Sequence, residues 1–363
     1  MHSERLQSIL AIDDDATNLR MLQEILKTSY KVYAAPSGPR ALAFLERNQP
    51  DLILLDVEMP GMDGYEVIRK IKENPRLAQI PVLFLTAQVG RDKEEMALHL
   101  GAVDYILKPI TSGVVRARVN LHIELENYRK RLEMLVEQKT EQLRNTQDSI
   151  LDILAGVTAW RDSGTGGHII RTTTFSRMVV DCLLEKQHPA YIISPQYGEH
   201  IVKTSKLHDI GKVAVSDTIL LKPGRLTTEE FNEIKKHTTF GAHMIDDAIA
   251  DLGDDSSFLH VAREIVISHH EWWNGSGYPA ALAGPNIPIS GRIMAISDIY
   301  DSLTSERPYK GVMSHKEAMD IIYAETGNHF DPLLIELLSD TFPKFEEVAA
   351  SVHTEDPDEE PES

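Results

Sequence analysis

Short apolar runs alternate with amphipathic stretches over the first 110 residues. Runs at 8–12, 31–34, 52–55, 82–85 and 104–106 read as strands, and 17–27 and 65–72 carry helical spacing between them. This βαβα rhythm with apolar strands predicts a doubly wound (βα)5 domain on a parallel sheet. From residue 111 to about 150 the pattern becomes one long charged helix without proline, with a single glycine at Gly113. Leu121, Leu125, Tyr128, Leu132 and Leu135 step by four and three, a heptad seam that weakens at Lys139 and resumes one step over at Leu143 and Ile150. The seam predicts a dimeric coiled coil or parallel helix pair, and roughly 35–40 helical residues would span about 50–60 Å. After Leu151 strand signals vanish, and turns such as Lys222-Pro223-Gly224 and Asn274-Gly275-Ser276-Gly277 separate helical segments. The chain is therefore expected to be multidomain, α/β plus all-α: an α/β domain over 1–120, a coiled-coil-like linker helix over 121–150, an all-helical domain over 151–348 and a tail over 349–363.

Composition changes this picture in four places. The chain has 363 residues, 42% of them hydrophobic, enough for two separate cores. No apolar run approaches the roughly 18–20 residues of a membrane span, and the first ten residues lack a signal-peptide core, so a cytoplasmic protein is expected. The net charge of −19 argues against a DNA-binding surface, as does the lack of a basic recognition helix in the C-terminal half. Part of the charge is local, since residues 354–363 hold six acids and two prolines, a disordered-tail composition. A single cysteine, Cys182, excludes a disulfide framework and a cysteine-rich zinc module. The fifteen histidines are the informative excess.

Polar residues stand where ligands of a doubly wound sheet bind, beyond the carboxyl ends of the strands. Asp13 and Asp14 follow the first strand and Asp56 the third. Three clustered carboxylates repel one another unless a hard cation sits among them, and Mg²⁺ suits such an oxygen-rich site. Thr86 ends the fourth strand and Lys108, followed by Pro109, lies just after the fifth, where a hydroxyl and an ammonium can bind phosphate oxygens. With Met59-Pro60-Gly61-Met62-Asp63-Gly64 also in place, residues 8–120 resemble the response-regulator receiver family. The resemblance implies that Asp56 is the phosphoacceptor and that a sensor histidine kinase is a partner. It further implies that Asp13, Asp14 and Asp56 hold Mg²⁺ with the Glu58 carbonyl, that Thr86 and Lys108 contact the phosphoryl group, and that Tyr105 is the switch aromatic.

The helical half carries a second constellation. His208-Asp209-Ile210-Gly211-Lys212 continues the helix expected over 202–207, with Lys212 one turn beyond the two ligand-type residues. It is joined by His168, His237, His269-His270-Glu271, Gly277-Tyr278-Pro279 and Asp298. A lone core histidine is usually a packing residue. Five histidines and two aspartates on apolar helices are not satisfied that way, because burying them unpaired would cost on the order of several kcal/mol. Imidazole and carboxylate without thiolate suit Fe or Mn, with Zn, Co and Ni as alternatives.

These motifs resemble the HD-GYP subfamily of HD hydrolases over about 145–342. The longer stretches 219–230, 269–279 and 298–310 carry the likeness further. The resemblance implies hydrolysis of cyclic di-GMP to pGpG or GMP at two divalent transition-metal ions. One ion would be held by His208, Asp209 and Asp298 with His168, the other by His237, His269, His270 and the shared Asp209. Metal ions so placed activate water and stabilise charge on the scissile phosphate, and Lys212 would contact the nucleophile or the developing oxyanion. Arg307, Lys310, Asp301 and Tyr278 would contact substrate. The Gly277-Tyr278-Pro279 loop would line the cleft, with docking onto GGDEF diguanylate cyclases as a lesser role. Two departures stand out. Gly164 replaces the glutamate with which some members bind a third metal, which leaves the role of His168 open, and Asn274 stands where aspartate is common. Alternatives are a phosphodiesterase preferring pGpG or a mixed cyclic dinucleotide, and a degenerate module that binds cyclic di-GMP without cleaving it.

Overall fold

The computed structural model describes residues 6–87, 99–161, 167–253, 257–305 and 312–352. The chain divides into two compact units, Met1–Glu141 and Gln142–Ser363. In the first, β1 (Ser8–Ile12), β2 (Lys31–Ala35), β3 (Leu52–Asp56), β4 (Val82–Thr86) and β5 (Asp104–Leu107) form a parallel sheet of order β2-β1-β3-β4-β5. Each observed strand after the first ends one residue beyond its expected limit, because the last residue of each still pairs in the ladder. Strands β1 and β3 are buried along their whole length. They have helices on both faces, which is why their sequence is an unbroken apolar run and not an alternation. The helix Ala16–Leu26 is capped by Asp15 and the helix Gly64–Glu73 by Asp63, each side chain accepting a first-turn amide hydrogen.

The long helix runs from Ser112 to Arg161, 50 residues, and so begins before and ends well after the expected 121–150 segment. Its base is packed, with Val115, Val119 and Ile123 buried against Ile9, Leu83 and Ile106. Arg118 pairs with Asp104 of β5, and His122 Nε2 lies 2.9 Å from the same carboxylate. Helical geometry extends further than the heptad pattern because Gly156 is the only glycine or proline between residues 114 and 161, and one glycine costs only about 1 kcal/mol. Residues 131–147 are exposed on all sides, and Leu121, Leu125, Tyr128, Leu132 and Leu135 are all exposed. The resumed seam continues through Ile150, Ile153, Val157 and Trp160, again exposed.

No strand occurs in the described part of the second unit, in keeping with the all-helical expectation. Its main core lies between the helices Gly167–Lys186, Ile289–Thr304 and Phe342–Val352. At its centre Phe175 stacks on Phe345 and meets the edge of Tyr300, with ring centroids at 4.6 and 5.0 Å. A smaller core joins Leu151 of the long helix to Leu207, Ile210, Ile245 and Val266, directly beneath the histidine-bearing segments. The last helix continues past residue 348 to Val352, and the acidic residues expected to form a tail lie outside the described residues. Among the described residues, no helix is long and apolar enough to cross a membrane.

Candidate metal and phosphoacceptor sites

The His208–Asp209 pair does not sit within one α-helix. The helix Pro195–Thr204 ends, a 3-10 turn covers Ser205–Leu207, and a second one covers Ile210–Ala214. Adjacent residues of a regular helix point about 100° apart and cannot face one centre. The interruption removes that obstacle. Ser205 Oγ bonds the Val202 carbonyl at 2.7 Å, Ser205 offers its own carbonyl to His208 Nδ1 at 2.8 Å, and Asp209 leaves helical geometry at φ −100°, ψ 10°. The following turn packs so closely on the helix His237–Leu252 that a Cβ on Gly211 would lie 1.9 Å from the His237 carbonyl. Only glycine permits His208, Asp209 and His237 to converge there.

Two sets of potential ligands share Asp209: Asp209 with His237, His269 and His270, and Asp209 with His168 and His208. The two carboxylate oxygens face different sets. Oδ1 lies 3.3 Å from His237 Nε2 and 3.8 Å from His269 Nε2, whereas Oδ2 lies 3.3 Å from His208 Nε2 and 2.7 Å from Lys212 Nζ. Asp298 Oδ1 is 3.8 Å from His168 Nε2 and 4.0 Å from His208 Nε2. Backbone carbonyls of Ile234 and Ile265 take Nδ1 of His237 and His269, as Ser205 takes that of His208, so each ring presents Nε2 inward. A donor at Nδ1 and a lone pair at Nε2 is the tautomer a metal requires.

The electrostatics favour a cation at this point. Burial alone would raise the Asp209 carboxyl, yet Lys212, His208 and His237 hold it well below the carboxylate range. Burial would lower His208, but Asp209 and Asp298 raise it to about 9. On the other side burial drives His270 down to about 4 and His269 well below its ordinary value, so these rings are neutral donors. The neutral imidazoles of His269 and His270 beside a shared anionic carboxylate fit a divalent ion of the imidazole-preferring type.

Several side chains do jobs other than those expected. Asp301, expected at the substrate, is only 1% exposed. Its oxygens are taken by Arg171 and, at 2.7 Å, by His168 Nδ1. It therefore orients His168 from behind, the usual place for a carboxylate behind a ligand histidine. Arg171, absent from the sequence-derived site, follows His168 by three positions on the same helix face, the signal that could have found it. Tyr278 lays its ring on His270 with centroids 4.8 Å apart, while its backbone N–H bonds the His270 carbonyl at 3.1 Å. The loop that carries it is closed by buried Glu271, whose carboxylate accepts hydrogen bonds from the Ala280 and Leu282 amides at 2.7 and 2.9 Å. Gly277 is needed because a Cβ there would lie 2.3 Å from the Trp272 nitrogen. Asn274 donates to the Asn328 side chain and accepts from Ser276 N at 2.8 Å. An aspartate could take the second bond but not supply the first. Gly164, Arg307 and Lys310 lie outside the described residues.

In the first unit, Asp13, Asp14 and Asp56 form a third potential cation site. Asp13 and Asp56 are buried and Asp14 is exposed. Lys108 Nζ reaches Asp56 at 2.8 Å and Asp13 at 3.1 Å. Burial pushes the Asp56 carboxyl up, against the pull of the Lys108 hydrogen bond. Asn18, which the sequence reading passed over, donates to both oxygens of Asp13. Thr86 ends β4, half-buried Tyr105 lies in β5 and exposed Glu58 follows β3.

Residues 9–120 match the family model described as a response regulator receiver domain, and residues 193–334 the one described as an HD domain. The chain is 40% identical to a protein named probable cyclic di-GMP phosphodiesterase from Vibrio cholerae serotype O1, over 91% of this chain and 76% of that protein. It is 32% identical to the cyclic di-GMP phosphodiesterase response regulator RpfG of Xanthomonas campestris pv. campestris, over 91% of this chain and 86% of that protein. A cyclic di-GMP phosphodiesterase of Thermotoga maritima is also 32% identical, over 97% of this chain and 94% of the relative. The chain belongs to the family of these cyclic di-GMP phosphodiesterases, and it joins a response regulator receiver domain to an HD domain.

Proposed function

We propose that the chain hydrolyses cyclic di-GMP at a two-metal centre in its HD unit, under control of phosphorylation at Asp56. The observation that carries this reading is Asp209, whose two oxygens face two separate sets of imidazoles while Lys212 touches one of them. His168, His208, Asp209 and Asp298 would hold one ion, and Asp209, His237, His269 and His270 the other. Two such ions supply Lewis-acid activation of water and stabilise charge on the phosphoryl oxygens. Asp209 would keep the two sites together, Asp301 and Arg171 would fix His168, and Tyr278 would wall the cleft over His270. The amino group of Lys212, held beside Asp209, would donate to the oxygen that gains charge. Arg307 and Lys310 would bind substrate phosphates, which on a chain of net charge −19 need local cations. Iron or manganese is the proposed metal, Mg²⁺ the receiver cation at Asp13, Asp14, Asp56 and the Glu58 carbonyl, and a sensor histidine kinase the phosphodonor.

Protein stripped of metal and reloaded with Fe or Mn is expected to convert cyclic di-GMP to pGpG or GMP, as read by chromatography, with about two ions bound per chain. Tight binding of cyclic di-GMP without turnover in metal-loaded protein would leave a binding module and overturn the enzymatic reading. Three tightly held ions would overturn the two-metal part.

The exposed seams support a parallel homodimer, since apolar residues on one helix stripe gain from pairing with a second copy. Phosphorylation would draw Thr86 and Tyr105 toward Asp56 and bias a helix pair with two arrangements. Beryllofluoride is expected to change turnover of wild type and to leave Asp56→Ala unaltered. An equal response in both proteins, or none in wild type, would refute control through the receiver.

A further inference from the structure

The Ile210–Ala214 turn bears Lys212 and follows directly on Asp209. A turn of this kind leaves carbonyl groups without intrahelical donors at its end, and those groups need partners. Arg161, the last residue of the long helix, supplies them. Its Nη1 donates to the Val213 carbonyl, and its Nη2 donates at 3.2 Å to the carbonyl of buried Val215 and also pairs with Asp217. A guanidinium is suited to this because its planar fork offers donors in several directions at once. Two further pairs lie along the same helix. Asp148 binds Lys203 at 2.6 and 2.8 Å, and Asp152 binds Lys206, two residues before His208. Between them Leu151 is buried in the small core that holds Leu207 and Ile210. Positions 148, 151, 152 and 155 share one helix face, so this stretch is fastened to the segment 203–217 along its length.

We infer that Arg161 is a positioning residue, which holds the carbonyl end of the Lys212 turn and makes the end of the long helix part of the catalytic scaffold. This rests on the proposed phosphodiesterase reading for its link to turnover. The consequence is directional. A slide or rotation of the helix end acts first on the Val213 and Val215 carbonyls, hence on Lys212, whose own N–H bonds the Asp209 carbonyl at 2.9 Å.

The test uses the full chain with Arg161→Gln, Arg161→Lys and Asp217→Asn. In metal-free protein, amide hydrogen exchange at Lys212 and Val215 is expected to speed up about tenfold or more in Arg161→Gln, because the local opening loses its clamp. In metal-loaded protein, kcat is expected to fall about tenfold with KM within about twofold and metal content unchanged, since small misplacements of a catalytic group are costly. Arg161→Lys, which can reach one carbonyl but not both, is expected to fall between wild type and Arg161→Gln. Asp217→Asn removes only the exposed partner and is expected to match wild type within about twofold on both measures. Unchanged exchange in Arg161→Gln, or an Asp217→Asn protein as impaired as Arg161→Gln, would overturn the assignment. Wild-type protein that cleaves no cyclic di-GMP would defeat the functional reading alone, because exchange still decides the tether.

Discussion

Asp209→Ala is expected to release the metal ions of both sets and to abolish cyclic di-GMP hydrolysis. The reason is the division of its oxygens, one 3.3 Å from His237 and the other 3.3 Å from His208. No second described carboxylate faces His237, His269 and His270 at such distances, whereas His168 and His208 keep Asp298. Among the described residues, the His237 set should therefore lose its one carboxylate ligand and the His208 side one of two. Ions that supply several kcal/mol of transition-state stabilisation correspond to a loss on the order of a thousandfold or more in rate. Metal analysis after dialysis, paired with product chromatography, checks both halves of the expectation. An Asp209→Ala protein that retained two ions and near wild-type turnover would remove Asp209 from the centre of the site.

Lys212→Ala should separate the two properties. The ammonium lies 2.7 Å from Asp209 but is not itself a ligand type for these ions while it carries a proton. Removing it leaves all five histidines and both aspartates in place. The expected outcome is full metal content with kcat lowered on the order of a hundredfold, the scale for loss of one preorganised donor to developing charge. Lys212→Arg, with a longer planar head, is expected to recover only part of the rate. If Lys212→Ala lost its metals, the side chain would be a prop for Asp209 and not a donor to the reacting oxygen.

The α/β half was legible nearly residue by residue because each of its signals is local. A buried strand must be a short apolar run, and the cation site must fall at the strand ends, as Asp13 and Asp56 do. In the helical half, residue types and motif spacing pointed to the ligand set, but sequence could not say how adjacent His208 and Asp209 share a centre. That depends on Ser205 and Thr204 hydroxyls bonding back to the preceding turn, and on packing at Gly211 too close for a Cβ. Asp301 was misplaced for a related reason. Its motif position says that it is constrained, and only the fold shows that Arg171 and His168 face it from a neighbouring helix. Arg161 was invisible because two of its three partners are backbone carbonyls, which carry no sequence signature.

Glu271 closes its loop by accepting two amide hydrogens, from Ala280 and Leu282, and touches neither side chain to do so. Every residue but proline offers that amide, so positions 280 and 282 can be rewritten while the Tyr278 wall keeps its place, whereas Ala281 sits at φ 53°, where β-branched side chains are strained. Ala280 and Ala281 are exposed. The scaffold is thus decoupled from its own lettering at this exposed stretch of the loop. A library confined to positions 280 and 282 varies this surface with the metal ligands untouched.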